Sequence, residues 1–130
     1  MIKVFVNGTF DILHLGHIEL LNYAKSLGDQ LIVGIDSDRR IKELKGPKRP
    51  INSEYNRWFI LKNLKAVDEV VVFDSDDELI NWVRLCDIMV KGSDYRGKPI
   101  VGEEVCKNIV FFERIDGYST TNTIQNIIAR

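Results

Sequence analysis

The sequence has 130 residues, a hydrophobic fraction of 45% and a formal net charge of −1 at pH 7. This length and composition predict one globular domain over residues 1–130. The small net charge argues against a general nucleic-acid or membrane-surface binder, and no apolar run is long enough to span a bilayer. The two cysteines, Cys86 and Cys106, have no CxxC spacing, so we expect reduced thiols in a cytoplasmic protein.

The pattern of apolar and polar residues predicts strands that alternate with helices. In chain order it predicts a strand over 2–7, a helix over 16–27, a strand over 30–35, a basic loop with a short helix over 36–52, a helix over 53–65, a strand over 69–73, a helix over 76–85, a strand over 87–91, a turn over 92–97, a short helix over 101–107, a strand over 108–113 and a helix over 120–129.

These elements predict an α/β fold. The strands at 30–35 and 69–73 are apolar almost throughout, which is typical of a parallel sheet covered on both faces. Right-handed crossovers then give a single-domain, Rossmann-like, doubly wound sandwich with a five-stranded parallel sheet. Ligands bind such sheets beyond the carboxyl ends of the strands. The segments that leave those ends are 7–17, 36–52, 91–97 and 114–121, and they hold the chain's unusual residues.

The first of these segments contains both histidines of the chain, His14 and His17. They stand at the start of a predicted helix, after a glycine turn. Free backbone N–H groups and the helix dipole favour phosphate at such a position, and imidazoles can donate hydrogen bonds to phosphoryl oxygens. Gly8 lets the chain turn tightly, and Gly16 leaves room for a bulky ligand. The segment therefore predicts phosphate chemistry.

Two other interpretations of the histidines are zinc binding and a purely structural role. A zinc site would need a third protein ligand, which is not evident in the sequence. Asp11 could cap the turn or, together with a second acid, hold a cation.

Charge is unevenly distributed along the chain. Residues 39–49 contain six basic residues and one acid, whereas residues 68–78 contain six acids and no base. The basic segment indicates either a local anionic ligand or a solvated loop. Lys42 and Lys45 lie three residues apart and could reach one ligand, and Arg57 and Lys91 supply further positive charge near the same edge of the sheet.

The last two segments also carry ligand-binding chemistry. In segment 114–121, Gly117 permits a turn and three hydroxyl residues follow it at a predicted helix start: Ser119, Thr120 and Thr121. Such a group can bind terminal phosphates or simply cap the helix. In segment 91–97, Asp94 could accept a hydrogen bond from a ribose or substrate hydroxyl, or it could be a turn residue.

The chain resembles the small cytidylyltransferase-like nucleotidyltransferases. Their motif GTFDxxHxGH stands here over residues 8–17, and their motif GxSTT stands over residues 117–121. Two branches of the family are similar to different parts of the chain. The segments KGPKRP (45–50) and VKGSDY (90–95) resemble the adenylyltransferase domain that makes ADP-heptose. Arg114 before Gly117 resembles the glycerol-3-phosphate cytidylyltransferases. We favour the heptose branch because more of the middle of the chain matches it.

The resemblance implies a reaction and a set of site residues. A nucleoside triphosphate, with Mg²⁺, and a phosphorylated sugar or polyol would give an NDP-linked product and pyrophosphate. By resemblance the catalytic residues are His14, His17, Lys45 and Arg114, and Arg57 binds the acceptor substrate. The nucleotide-binding residues implied in the same way are Gly8, Thr9, Phe10, Asp11, Gly16, Lys42, Lys91, Gly92, Asp94, Gly117, Ser119, Thr120 and Thr121. No protein-held metal is implied.

Three further hypotheses concern partners. The chain could be a nucleotide-sensing module with little turnover, although a sensor would not need both histidines. It could act beside a separate sugar kinase. Family members are commonly homodimers, and Trp58 or Trp82 could contribute to such an interface.

Overall fold

The computed structural model describes residues 1–113. Predicted features that lie outside the described residues are the helix over 120–129 and the site residues Arg114, Gly117, Ser119, Thr120 and Thr121. The elements are β1 (Lys3–Gly8), α1 (Leu15–Ser26), β2 (Gln30–Asp36), α2 (Asp38–Lys45), α3 (Glu54–Lys62), β3 (Glu69–Phe73), α4 (Asp76–Leu85), β4 (Ile88–Gly92), a 3₁₀ turn (Ser93–Tyr95) and β5 (Ile109–Phe112).

The five strands form one parallel sheet in the order β3-β2-β1-β4-β5. The predicted doubly wound α/β fold is therefore confirmed. The chain winds outward from β1 through β2 to β3, and then returns to place β4 on the other side of β1. The winding direction reverses at β1, so the crevice beyond the carboxyl ends of β1 and β4 is the expected ligand position.

Alternate residues of each strand face opposite sides of the sheet, because successive side chains in a strand point in opposite directions. One side carries Val4, Val6 and Leu31, which pack with Leu21 of α1 and Leu61 of α3. We call this the α1 face. The other side carries Phe5, Ile32 and Met89, which pack with Leu79 and Val83 of α4. We call this the α4 face.

Two segments outside the strands, the basic loop and residues 101–107, lie next to the expected ligand position. The basic loop contains the expected short helix, α2, whose N-cap Ser37 accepts a hydrogen bond from the Arg40 N–H. The predicted helix over 101–107 is wrong, because those residues form turns. Gly102 has a φ of +91° there, in the left-handed region that a helix interior excludes. Within residues 1–113, no helix is both long and apolar enough to cross a membrane.

Candidate active site

A cavity of about 610 Å³ opens at the carboxyl ends of the strands, within the usual size range of small-molecule sites. Predicted site residues that line it are Gly8, Thr9, Phe10, His14, Gly16, His17, Lys45, Lys91, Gly92 and Asp94. The fold thus brings together residues from segments 7–17, 36–52 and 91–97. Asp11, Lys42 and Arg57 are not among its lining residues.

The two histidines form the N-terminal cap of α1. His14 is the N-cap residue, and its Nδ1 accepts a hydrogen bond from the Gly16 N–H at 3.1 Å. His17 Nδ1 in turn accepts from the His14 N–H at 3.3 Å. The two rings stack with their centroids 3.9 Å apart. This reciprocal capping box fixes both imidazoles at the positive end of the helix dipole.

The capping bonds also fix the tautomer of each neutral imidazole. A nitrogen that accepts a hydrogen bond carries no proton, so the ring proton lies on the other nitrogen. Because both Nδ1 atoms accept backbone N–H groups, His14 and His17 both carry the proton on Nε2. Each ring therefore carries an Nε2–H donor, the kind of group that binds phosphoryl oxygens at a helix N-terminus, and Nε2 of His14 is buried.

Phe10 shapes the turn that leads into this helix. It is the only non-glycine residue with positive φ, +48°, among residues 1–113, and such backbone strain persists only where surrounding contacts hold it. The Phe10 side chain is buried, and its ring centroid lies 5.2 Å from that of His17. The turn thus holds the Phe10 ring against the second histidine.

Positive charge reaches the cavity from two elements. Lys45 is the last residue of α2 and is exposed at the cavity wall. Lys91 lies near the end of β4 with its Nζ 4.5 Å from the centroid of the Tyr95 ring. Burial lowers the pKa of Lys91 below its ordinary value, and the carboxylates of Asp36 and Asp94 oppose that shift.

Asp11 is buried behind the cavity wall. Its carboxylate accepts hydrogen bonds from the Ile51 N–H at 2.8 Å and the Asn52 N–H at 2.7 Å, and it lies 3.8 Å from Nε of Arg49. The carboxylate thus binds the backbone of a loop 40 residues further along the chain, and its nucleotide-binding role implied by the resemblance stays a prediction. Asp11 fastens the 49–52 loop to the glycine turn.

Arg57 is also buried, with its side chain 0% exposed. Its guanidinium donates to the backbone carbonyls of Thr9, Asp36 and Asn52 and pairs with Asp38 at 2.8 Å. The side chain is enclosed and its guanidinium bonds within the protein, so the described contacts are structural, and the contact with the acceptor substrate implied by the resemblance stays a prediction. Arg57 ties together the chain segments that leave β1 and β2.

Two of the six basic residues of the basic segment pair with the acidic segment that leaves β3. Arg39 pairs with Asp74 at 3.0 Å, and Arg40 pairs with Asp36 and Asp76. Lys42 donates to the Arg49 carbonyl at 3.3 Å and does not line the cavity. The excess of basic residues is thus partly structural, and Lys45 is the lysine of this segment that lines the site.

Sequence reasoning missed three polar residues that line the cavity: Asn7, Asp36 and Arg40. Asn7 ends one predicted strand and Asp36 directly follows another, and the strand alternation would have placed both on one face of the sheet. Arg40 lies in α2. Trp58 and Trp82, considered for an interface, are half-buried and pack against the core clusters. Within residues 1–113, no group of three or more His, Cys, Asp or Glu side chains could hold a metal ion.

Comparison with known proteins identifies the family of this chain. The Cytidylyltransferase-like family matches residues 5–126. The chain belongs to this family. A relative from Nitratiruptor sp., "Bifunctional protein HldE", is 49% identical over 95% of the chain, and one of the same name from Campylobacter fetus is 50% identical over 95%. The chain spans 27% of the length of each.

A solved structure is similar over nearly its whole length. The lipopolysaccharide core biosynthesis protein from Thermoplasma volcanium is 32% identical, with a TM-score of 0.75, over 89% of this chain and 99% of its own. The family resemblance is confirmed by these matches. In this member of the family, the paired histidines line the cavity at the position where the fold places ligands.

Proposed function

We propose that the protein transfers an adenylyl group from ATP to a sugar 1-phosphate of the heptose type, with release of pyrophosphate. The observation that carries the proposal is the histidine cap of α1. It gives two Nε2–H donors at a helix N-terminus, beside a cavity that Lys45 also lines. The similarity to the HldE proteins and to a lipopolysaccharide core biosynthesis protein supports a sugar phosphate as acceptor.

In this mechanism an oxygen of the acceptor phosphate attacks the α-phosphorus of ATP in line. The new P–O bond forms as the bond to pyrophosphate breaks, and no covalent enzyme intermediate is needed. His14 and His17 donate to the α-phosphoryl oxygens, where negative charge crowds in the transition state. Lys45 neutralises phosphate charge and draws the two anionic substrates together.

Mg²⁺ would enter with the triphosphate. This ion usually keeps several waters and is held through substrate phosphates with few protein ligands, which suits a cavity to which the carboxylate of Asp94 contributes. Bound there, it would supply charge neutralisation on the leaving pyrophosphate. The predicted roles of Arg114, Ser119 and Thr120 at the phosphates belong to the same proposal.

The remaining proposals concern the setting of the reaction. Both cysteines are free thiols, which supports a cytoplasmic location. We propose that a sugar kinase supplies the acceptor. We also propose a homodimer, supported by the exposed apolar side chains of Tyr55, Phe59 and Ile60 on α3; sedimentation at micromolar concentration tests it.

The test is pyrophosphate release measured with ATP and CTP separately, each against a heptose 1-phosphate and glycerol 3-phosphate, with Mg²⁺. Turnover with ATP and the sugar phosphate supports the proposal. Turnover restricted to CTP and glycerol 3-phosphate would instead select the cytidylyltransferase alternative, which Arg114 before Gly117 favours. Nucleotide binding without turnover in every combination would select the sensing module.

A further inference from the structure

Three polar side chains share one face of the sheet at the site. Phe5, Ile32 and Met89 point to the α4 face, so the strand alternation sends residues two or four positions later the same way. Those residues are Asn7, Asp36 and Lys91, which stand on β1, β2 and β4. These three strands are neighbours in the sheet, and all three side chains line the cavity.

The histidines lie on the opposite side of the same sheet edge. They begin α1, whose residues Leu21 and Ala24 pack on the α1 face. The cavity therefore has two polar walls. One is the histidine wall, made of hydrogen-bond donors. The other, which we call the α4-face wall, is made of Asn7, Asp36 and Lys91.

The α4-face wall offers acceptors rather than donors at two of its three positions. Asp36 is 8% exposed, and its Oδ1 is held by Arg40 Nε at 2.9 Å. Arg40 is itself anchored by Asp76 at 2.6 Å, so the carboxylate is fixed. Asn7 Oδ1 is buried and has no hydrogen-bond partner within residues 1–113. A buried acceptor of this kind is costly unless a donor reaches it.

The chemistry of these acceptors selects the part of the substrate that they could meet. Phosphate oxygens have no proton to donate, and the Asp36 carboxylate repels them. Hydroxyl groups donate well to carboxylate and amide oxygens. The α4-face wall therefore suits the polyol portion of a ligand whose phosphate lies at the histidine wall.

Two molecules in the proposed reaction carry hydroxyls, the nucleotide and the acceptor. In-line attack brings the acceptor to the α-phosphorus from the side opposite to the leaving pyrophosphate. The segment VKGSDY (90–95), which resembles a nucleotide-binding segment, ends β4, whereas Asp36 ends β2, across β1 from it. The β2 side of the cavity is thus left to the acceptor.

We propose that Asn7 and Asp36 bind the hydroxyl groups of the phosphorylated acceptor and determine its specificity. The inference rests on the proposed function, because it assigns one of that reaction's two substrates to the α4-face wall. Arg40 acts as a positioning residue for Asp36.

The first variant is Asn7→Leu, which keeps a similar volume and removes the acceptor. KM for the sugar phosphate should rise about tenfold, as loss of one hydrogen bond predicts, while KM for ATP stays within about twofold. The midpoint of thermal unfolding should stay the same or rise, because the replaced oxygen has no partner in the described protein. If Asn7 had only a structural role, the variant would lower that midpoint and would not change KM for the sugar phosphate relative to KM for ATP.

The second variant is Asp36→Asn, with Asp76→Asn as its matched control. Both carboxylates bind Arg40, but only Asp36 lines the cavity. Asp36→Asn should raise KM for the sugar phosphate and leave KM for ATP near the wild-type value. Asp76→Asn keeps the Arg40–Asp36 pair and should raise KM for the sugar phosphate much less.

The outcomes separate the two proposals. If the wild type turns over the sugar phosphate but both variants keep its KM, or raise KM for ATP instead, the inference is wrong and the proposed function stands. If the wild type releases pyrophosphate with no acceptor of this class, the proposed function fails and the assignment of the α4-face wall fails with it.

Discussion

At the scale of single residues, His14 combines two roles, helix capping and hydrogen-bond donation, that sequence rules assign to different residue types. Helix N-caps are usually Ser, Thr, Asp or Asn, and here an imidazole accepts the Gly16 N–H instead. Capping consumes Nδ1 and thereby places the proton on Nε2. The structural bond thus prepares the donor that the proposed reaction needs.

This double role predicts that stability and activity can be separated at position 14. His14→Asn keeps an oxygen that can cap α1, so the unfolding midpoint should stay near that of the wild type. It removes the Nε2–H donor, so kcat should fall by roughly 100-fold, the scale of a lost transition-state donor. His17→Ala should lose at least as much kcat with the fold intact. Circular dichroism melts and pyrophosphate release measure the two effects, and wild-type turnover in His17→Ala would contradict the assignment.

For Arg57 we predict a large effect on stability, in contrast to position 14, where we predict a large effect on activity. Lysine at this position keeps the charge but cannot reach three backbone carbonyls and Asp38 at once. Arg57→Lys should therefore lower the free energy of unfolding by on the order of 3 kcal/mol, as for a broken buried pair. Urea denaturation measures the change. The matched control is Arg39→Lys, since Arg39 is half-exposed and exposed ion pairs contribute little to stability, so this variant should lose far less than Arg57→Lys. Equal losses in the two variants would contradict the structural role of Arg57.

At the scale of elements, α2 connects the basic loop to the site. It begins at the Ser37 cap and ends at Gly46, whose φ of +98° lies where L side chains are rarely found. A Cβ at Gly46 would meet nothing within 4 Å. The need for glycine is therefore set by the backbone alone, and this bend places Lys45 at the cavity.

Gly46→Ala should therefore impair the site more than the fold. Strain of about 1–2 kcal/mol can be relieved by a shift of the exposed end of α2, which would carry Lys45 away from the phosphates. We expect kcat/KM to fall by about tenfold or more. Gly97→Ala is the control, because Gly97 also has positive φ and an open Cβ position but lies outside the cavity lining. If both variants lose the same activity, the position of Lys45 is not the cause.

The elements also show which parts of the molecule a sequence can predict. Apolar strands buried on both faces carry a local pattern, so β2 and β3 were predicted within a residue of their ends. Residues 101–107 have a helix-like composition, but Gly102 packs against Val83 in a left-handed conformation, a tertiary constraint with no local pattern. The roles of Asp11 and Arg57 depend on partners up to 48 residues away, which no spacing rule contains.

At the scale of the whole molecule, the carboxyl ends and the amino ends of the strands have different roles. The cavity lies at the carboxyl ends, and at the amino ends aspartate side chains accept hydrogen bonds from backbone N–H groups. Asp29 accepts from the Ile2 N–H, Asp68 from the Leu31 N–H and Asp87 from the Lys3 N–H. Each precedes one strand and binds the backbone within one residue of the start of the neighbouring strand.

This arrangement predicts how stability depends on pH. Burial alone would raise the pKa of Asp68, but the hydrogen bonds from Lys25 and the Leu31 N–H and the charge of Lys25 together hold it below its ordinary value. The pKa of Asp87 is lowered mainly by the Lys3 N–H. The unfolded chain therefore binds protons more readily than the folded chain, and acid favours unfolding.

The free energy of unfolding should accordingly be nearly constant from pH 7 to 5 with respect to these groups. It should fall as the pH drops through about 4, the ordinary pKa of an aspartate, because the folded carboxylates lose their stabilising bonds as they become protonated. Urea denaturation at a series of pH values measures this slope. In the double variant Asp68→Asn, Asp87→Asn the unfolding energy at pH 7 should be lower and the slope below pH 5 shallower. An unchanged slope in that variant would place the acid sensitivity elsewhere in the molecule.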